Sequence, residues 1–395
     1  MRSAGDVVIA AIGGDLEIVG SEVRGRNVGL SAANNLSIRS SQDHYWQDSR
    51  SQSQGGEAGV AISGSSNGGA AVGFYVGANA ARGNSDGQGT LHNESLIQAS
   101  NALVFSSGGD TLLQGAQLRG EQVVGRVGGN LTLRSEQDTD RYDSRQLALK
   151  GEATIGYGFD GSASGSASLI DSQYRSVREQ TGIEAGSGGF QLHVDGHTAL
   201  IGAAIASSAD AARNQLTTGS LSVDTLHNEA RYLAASVSGG TSGGGSPGEM
   251  SFDAGAALGV PTGDDKHSTT RSGLADATVV IADGDHSALQ GLQRGVTALD
   301  DGTGFAPIFD PQKVEERQAL TNLLGQMGFE AAGDLAASRR AQAQAALASA
   351  QANGNAQGIA EATAQLEAWS EGGRNKVLLH GLTGAAVAAL SGGDV

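Results

Sequence analysis

The chain has 395 residues and a formal charge of −17, from 42 acidic and 25 basic side chains. Its 62 glycines, 4 prolines and lack of cysteine exclude collagen, which needs Gly at every third position with abundant proline, and also exclude disulfide scaffolds and thiolate metal centres. The acidic surface disfavours nucleic acid and anionic lipid as partners, and 38% hydrophobic residues in regular patterns argue against disorder.

Met1 to Asp6 opens within a repeat pattern, with no basic stretch followed by an apolar one, so no signal peptide is read in this chain. It is expected to begin in the middle of something longer. Gly13 to Arg50 aligns without a gap on Gly108 to Arg145, at an offset of 95 and with 16 identities in 38 positions. Within each copy a shorter unit returns after 20 residues: Gly13-Gly14-Asp15-Leu16 with Ala33-Asn34-Asn35-Leu36, and Gly108-Gly109-Asp110 with Gly128-Gly129-Asn130-Leu131. Each unit is a Gly/Asn corner followed by an apolar-x-apolar triplet, which has strand period. The corner residues are expected to supply left-handed or tight backbone.

A period near 20 with short strands predicts a mainly β chain wound as a right-handed parallel β-helix, its turns stacked about 4.8 Å apart. Ile18, Val23, Val28, Leu36 and Ile38 should point inward in one copy, and Leu113, Leu118, Val123, Leu131 and Leu133 in the other. The β-helix is assigned to residues 1–235, with β-hairpins projecting at 51–88 and 146–175, where Gly, Ser and Ala alternate with Val72, Phe74, Val76, Ile155 and Tyr157. Thr90-Leu91-His92-Asn93-Glu94 recurs verbatim at Thr225 to Glu229. Ser236 to Ser246 reads as a flexible linker, and 236–305 as Gly/Ser-rich and irregular. From 306 to 395 the texture turns helical: Glu315 to Gln351, Ile359 to Trp369, then an apolar helix from Arg374 to Leu390. The apolar run Val377 to Leu390 is short of the roughly 20 residues of a membrane span.

Gly128 to Thr139, Ala33 to Asp43, and Ile205 to Gly219 resemble haemagglutinin repeats. Such repeats belong to the filamentous-haemagglutinin and contact-dependent growth inhibition exoproteins of the two-partner secretion family. Leu289 to Gly333 and Trp369 to Arg374 are similar to what lies between those repeats and the toxin. The resemblance implies a secreted, cell-surface fibre exported through an outer-membrane transporter and directed at a target-cell surface or outer membrane. It implies a pre-toxin-like role for 306–395. The family's Val-Glu-Asn-Asn motif is not found here, so the chain is expected to be truncated before the toxin module.

No catalytic, cofactor-binding or metal residue is assigned. His193, Asp195 and His197 would share a strand face as metal ligands, but an exposed face near a corner explains them better. Gly156-x-Gly158-x-x-Gly161 matches a dinucleotide fingerprint and Gly64 to Gly68 a nucleophile elbow, both without strand-to-helix context. Asp264-Asp265, Asp283-Gly284-Asp285-His286 and Asp300-Asp301 fit solvated turns better than Ca²⁺ sites. The slots Arg39/Arg134 and Asp43/Asp138 offer no cleft for a polysaccharide-cleaving enzyme. The expectation is therefore a non-enzymatic stalk for toxin delivery, with no cofactor, nucleic acid or small-molecule substrate. The competing reading is a filamentous-haemagglutinin-type adhesin without a toxin.

Overall fold

The computed structural model describes residues 1–64, 70–156, 159–245, 251–258, 261–299, 304–370 and 372–391. Short parallel strands stack into a solenoid with three faces. The first face runs through Val7–Ala11, Val28–Ala32, Ala102–Ser107, the end of Ala116–Val127, the middle of Gly182–Ile201, the start of Gln215–Asp224 and Thr278–Ile281. On the second are Leu16–Val19, Leu36–Arg39, Thr111–Gln114, Leu131–Arg134 and the ends of the two long strands after them. The third carries Glu22–Gly25, Ser95–Ala99, the starts of Ala116–Val127 and Gly182–Ile201, then Ala204–Ser207, Gly273–Leu274 and Gln293–Arg294. Alternation puts one apolar ladder inside each face, such as Ile18, Ile38, Leu113, Leu133 and Leu200 in register. The ten residues expected to point inward are all buried, most of them completely.

The Gly-Gly-Asp/Asn corners have a different cause from the one expected. Among the described residues no non-glycine has positive φ, and Gly13, Gly14, Gly108, Gly109, Gly128 and Gly129 are not left-handed either. At Gly108, Gly109, Gly128 and Gly129 the glycine is there because the turns stack tightly: a Cβ on Gly108 would overlap the Ala33 carbonyl oxygen, and one on Gly128 the Gly108 carbonyl oxygen, whereas nothing lies within 4 Å of one on Gly13 or Gly14 in the first turn. The acidic or amide residue forms a ladder. Asp15 Oδ1 accepts the Asn35 N–H at 2.9 Å, Asn35 Oδ1 that of Asp110 at 2.9 Å, Asp110 Oδ1 that of Asn130 at 2.7 Å, and Asn130 Oδ1 that of His197 at 2.9 Å. Each side chain thereby satisfies a donor that the corner would otherwise leave unpaired. One strand later Gly20, Gly115 and Gly202 are left-handed, with φ of 51°, 61° and 57°.

On alternate turns the chain leaves the solenoid instead of turning at that corner. It then makes hairpins of β1 (Ser41–Gly64) with β2 (Ala70–Asn93), β3 (Asp138–Ile155) with β4 (Phe159–Ser176), and β5 (Leu226–Gly245) with β6 (Ser251–Leu258) and β7 (Thr262–Thr270). The hairpins fuse into one antiparallel sheet, because β2 also pairs with β3 and β4 with β5. Spacing explains the fusion. Two turns rise about 9.6 Å, the width of two strands, so successive hairpins meet edge to edge.

The strands begin earlier than the hairpins expected from composition, at Ser41 and Asp138 rather than 51 and 146. Ser236 to Gly245, read as a linker, is the outer half of β5, and Ser246 lies outside the described residues. Paired on both edges, its backbone is fully engaged in the ladder, and its small side chains leave room for a helix above. Residues 236–305 are also less irregular than expected, since the solenoid continues through Thr278–Ile281 to Gln293–Arg294. The repeated Thr-Leu-His-Asn-Glu string has no common place: one copy ends β2 and the other opens β5.

Three helices follow, α1 (Pro311–Ala352), α2 (Ala356–Ala368) and α3 (Arg374–Ser391). Pro311 occupies the first helical position of α1, and Asp310 caps it by accepting the Lys313 N–H at 3.3 Å. The first helix lies on the hairpin sheet and α2 and α3 pack against it. Among the described residues no helix is long and apolar enough to cross a membrane.

Candidate interaction face on the hairpin sheet

The two faces of the hairpin sheet differ. On one, Tyr142, Ile170, Tyr174 and Ala234 are buried. The Phe309 ring covers them, 5.3 Å from Tyr142 and 5.7 Å from Tyr232 between centroids. Polar contacts pin the cover: Tyr174 donates to the Phe305 carbonyl at 2.7 Å, the Gln318 amide donates to the Leu169 and Ala235 carbonyls at 3.2 and 3.3 Å, and Tyr142 donates to the Glu315 carboxylate. Burial, reinforced for Tyr142 by Glu315, holds both tyrosine hydroxyls above their ordinary range. The segment from Phe305 and the start of α1 thus seal this face, so the helices are docked on the β structure and are not a free-standing module.

The opposite face has no cover among the described residues. Nearest the solenoid stand Trp46, Gln88, Arg141, Gln173 and Arg231 in one row. Trp46 is 83% exposed, beside a polar depression shared with His44, Thr90 and Glu229. The next row sets four aspartates side by side: Asp48, Asp86, Asp143 and Asp171. Like charges opposite one another destabilise a sheet. Burial first, then the hydrogen bond and charge of Asp143, hold the Asp171 carboxyl above the usual carboxylate range, with Arg231 and Arg141 opposing. Farther out the face turns apolar, and Phe74, Val76, Leu147, Leu149, Ile155 and Phe252 are each more than half exposed.

At the root of the sheet is a buried polar cluster. The His92 N–H donates to Asp138 Oδ1 at 2.7 Å, its ring Nδ1 is 3.2 Å from the same oxygen, and its Nε2 is 3.4 Å from Glu136. Arg178 reaches Asp138 Oδ2 at 3.5 Å. Beside them Tyr45 hydrogen-bonds Asp140, and burial raises the pKa of both groups. These contacts tie down the point where the hairpins leave the solenoid. The 95-residue repeat had marked Asp138 and its counterpart Asp43, but His92 carried no signal beyond its repeated string.

The residues weighed as ligands do not converge. A corner falls between Val194 and His197, so the three positions do not share one strand face. His193 pairs with Asp195 at 2.9 Å, while both nitrogens of His197 bond Ser220 and Ser222 on the next turn. Asp265 pairs with His267, and Asp283 and Asp285 accept the N–H groups of Asp285 and Ser287. Asp300-Asp301 and Ser65 to Gly68 lie outside the described residues. So does Gly158, and the strand from Phe159 to Ser176 stands after it where the fingerprint needs a helix. Arg39 pairs with Glu17 on the solenoid's outside and Asp43 accepts from Asn93 at 2.8 Å. No group of three His, Asp or Glu able to hold a metal occurs among the described residues.

Residues 1–149 match the hemagglutinin repeat family. Over 363 residues the chain is 32% identical to a deoxyribonuclease CdiA of Dickeya dadantii strain 3937, covering 87% of this chain and 11% of that protein. It is 35% identical over 350 residues to a tRNA nuclease CdiA of Escherichia coli strain NC101, covering 83% and 10%. Against a deoxyribonuclease CdiA of Yersinia pseudotuberculosis serotype O:3 strain YPIII, identity is 35% over 334 residues, covering 82% and 30%. The chain thus spans about a tenth of the first two relatives and under a third of the last. No solved structure matches.

Proposed function

The chain carries a haemagglutinin-repeat segment of the CdiA and filamentous-haemagglutinin type, and from that we propose that it serves as the non-catalytic stalk and delivery region of a secreted, cell-surface contact-dependent growth inhibition exoprotein. Its solenoid is a right-handed β-helix of about 20 residues per turn once the hairpins are set aside, and residues 306–395 form a pre-toxin-like segment. The whole exoprotein would leave its cell through an outer-membrane transporter of two-partner secretion and engage a target-cell surface. One observation carries the reading. Relatives named as a deoxyribonuclease and as a tRNA nuclease share this same stretch, which is what a common delivery scaffold for different effectors requires. The outward polar groups here support it, being tied in ion pairs and corner ladders. A second reading, adhesion without a toxin, is favoured by the uncovered sheet face with its exposed Trp46.

Two experiments test the proposal. The purified chain should leave DNA and tRNA intact, and cleavage of either refutes a non-catalytic role. A CdiA exoprotein whose own matching segment is replaced by these 395 residues, with its nuclease retained, should still kill neighbouring cells. Attachment without killing would support the adhesin reading and overturn delivery.

A further inference from the structure

We propose that the uncovered face of the hairpin sheet is a self-association surface, on which a second copy of this chain packs its own hairpin sheet face to face with the strands running oppositely. The inference stands whether the segment delivers a toxin or adheres. The first observation is the distribution of exposed apolar side chains. Phe74 at 68%, Ile155 at 62%, Phe252 at 62% and Leu149 at 55% exposed all project to this one face by register. The other face already holds α1 through Tyr142 and Gln318, so no helix of the described chain is left to cover this one.

The second observation is relief. Toward the tip, Phe74, Ile155 and Phe159 form one row. Six residues nearer the root along each strand, Ala80, Leu149 and Gly165 form another, continued by Gly239 and Ala256. The two rows between them are mostly glycine and alanine, including Ala78, Gly151 and Ala163, with Val76 and Phe252 on the one nearer the tip. A two-fold axis across the strands between Gly151 and Ala153 sets the aromatic rings on small residues. It places Phe74 over the other copy's Ala80, Phe159 over its Gly165, and Ile155 over its Leu149.

Charge selects that orientation. The row Asp48, Asp86, Asp143 and Asp171 lies on the root side of the overlap and stays hydrated. A two-fold along the strands would instead stack that aspartate row against its own copy, which costs several kcal/mol where like charges meet. Area is sufficient. About nine residues on average along six strands cover ~31 by ~29 Å, close to 900 Å² per sheet and ~1,800 Å² for the pair, within what a stable interface buries.

Sedimentation equilibrium of the full chain over a hundredfold range of concentration is expected to show a reversible dimer, weakened roughly tenfold or more by Leu149→Glu with an unchanged circular dichroism spectrum. The chain has no native cysteine, so placement can be tested without reference to folding. Ala153→Cys, on the open face, should cross-link between copies with a short bismaleimide, and Thr154→Cys, on the covered face, should not. A monomer at every concentration overturns the proposal, as does equal cross-linking from both faces. Monomers that float with phosphatidylcholine vesicles would overturn it too, giving the face to a lipid surface.

Discussion

Gly115→Ala tests whether the left-handed glycine after a second-face strand holds the solenoid in its winding. At Gly115, φ is 61°, a left-handed conformation that costs an L-residue about 1–2 kcal/mol. The added Cβ would also stand 2.5 Å from Ser40 Oγ and 2.7 Å from Ser40 Cβ. Ser40 lies where the preceding turn passes into β1, so the overlap is relieved only by moving backbone. Forced overpacking of this kind costs about 1–3 kcal/mol. The sum is a loss of roughly 2–5 kcal/mol, a large share of a typical domain's stability. Gly13→Ala is the comparison. Its φ is not left-handed and nothing lies within 4 Å of the new Cβ, so the change should be neutral, or stabilising by up to ~1 kcal/mol through the unfolded chain. Urea denaturation of both variants measures the difference. Hydrogen exchange should place the damage in Ser95–Ala99 and the start of Ala116–Val127, since each turn contacts only its neighbours. Equal stability of the two variants would refute the reasoning.

Other perturbations have equally definite outcomes. Leu133→Ala empties a fully buried rung of a ladder and should lower unfolding free energy by about 3–5 kcal/mol in a urea titration. Phe309→Ala should free the start of α1, so that 311–330 exchange faster while solenoid amides do not; unchanged exchange would mean the ring is not the anchor. Removing a corner rung with Asn35→Ala, which leaves the exposed Asp110 N–H to water, should cost about 0.5–1.5 kcal/mol. Asp171 has a raised folded pKa, so the folded state binds its proton more readily than the unfolded state. Stability should therefore fall as pH rises through the window between the unfolded value and the raised one, and recover on acidification across it. Asp171→Asn should flatten that slope in pH-dependent thermal melts, and coincident curves would show that the aspartate row is not felt.

The strand triplets were legible because alternation is local: Leu36 and Ile38, or Leu131 and Leu133, declare their inward face within three residues. The helical segment was legible for the same reason, in runs such as Ala336 to Ala352. The cause of the Gly-Gly-Asx corner was not. A glycine needed because the next turn's carbonyl passes close by looks, in one dimension, like a glycine needed for positive φ. The asparagine ladder joins residues 20 and 75 positions apart, so no local window contains a pair of its rungs. The stretch from Ser236 is strand although its glycines and serines suggest flexibility, because β4 on one side and β6 on the other satisfy its backbone. On the open face the apolar residues were visible as alternation, but their common side depends on the registers that fuse three hairpins.

The long repeat and the hairpins have one origin. A corner ladder step is 20 residues where the chain stays on the solenoid and 75 where it makes the first hairpin; together these give the 95-residue offset. The side of the choice is written at one position after each second-face strand. Gly20, Gly115 and Gly202 stand where the chain turns left-handed and stays, whereas Ser40, Ser135 and Thr225 stand where it departs into β1, β3 and β5. A β-carbon at that position disfavours the left-handed turn, so the chain continues outward until a hairpin brings it back. Alternating glycine with serine or threonine at this corner therefore sets hairpins two turns apart. That spacing lets them join into a single sheet whose open side then depends on a partner.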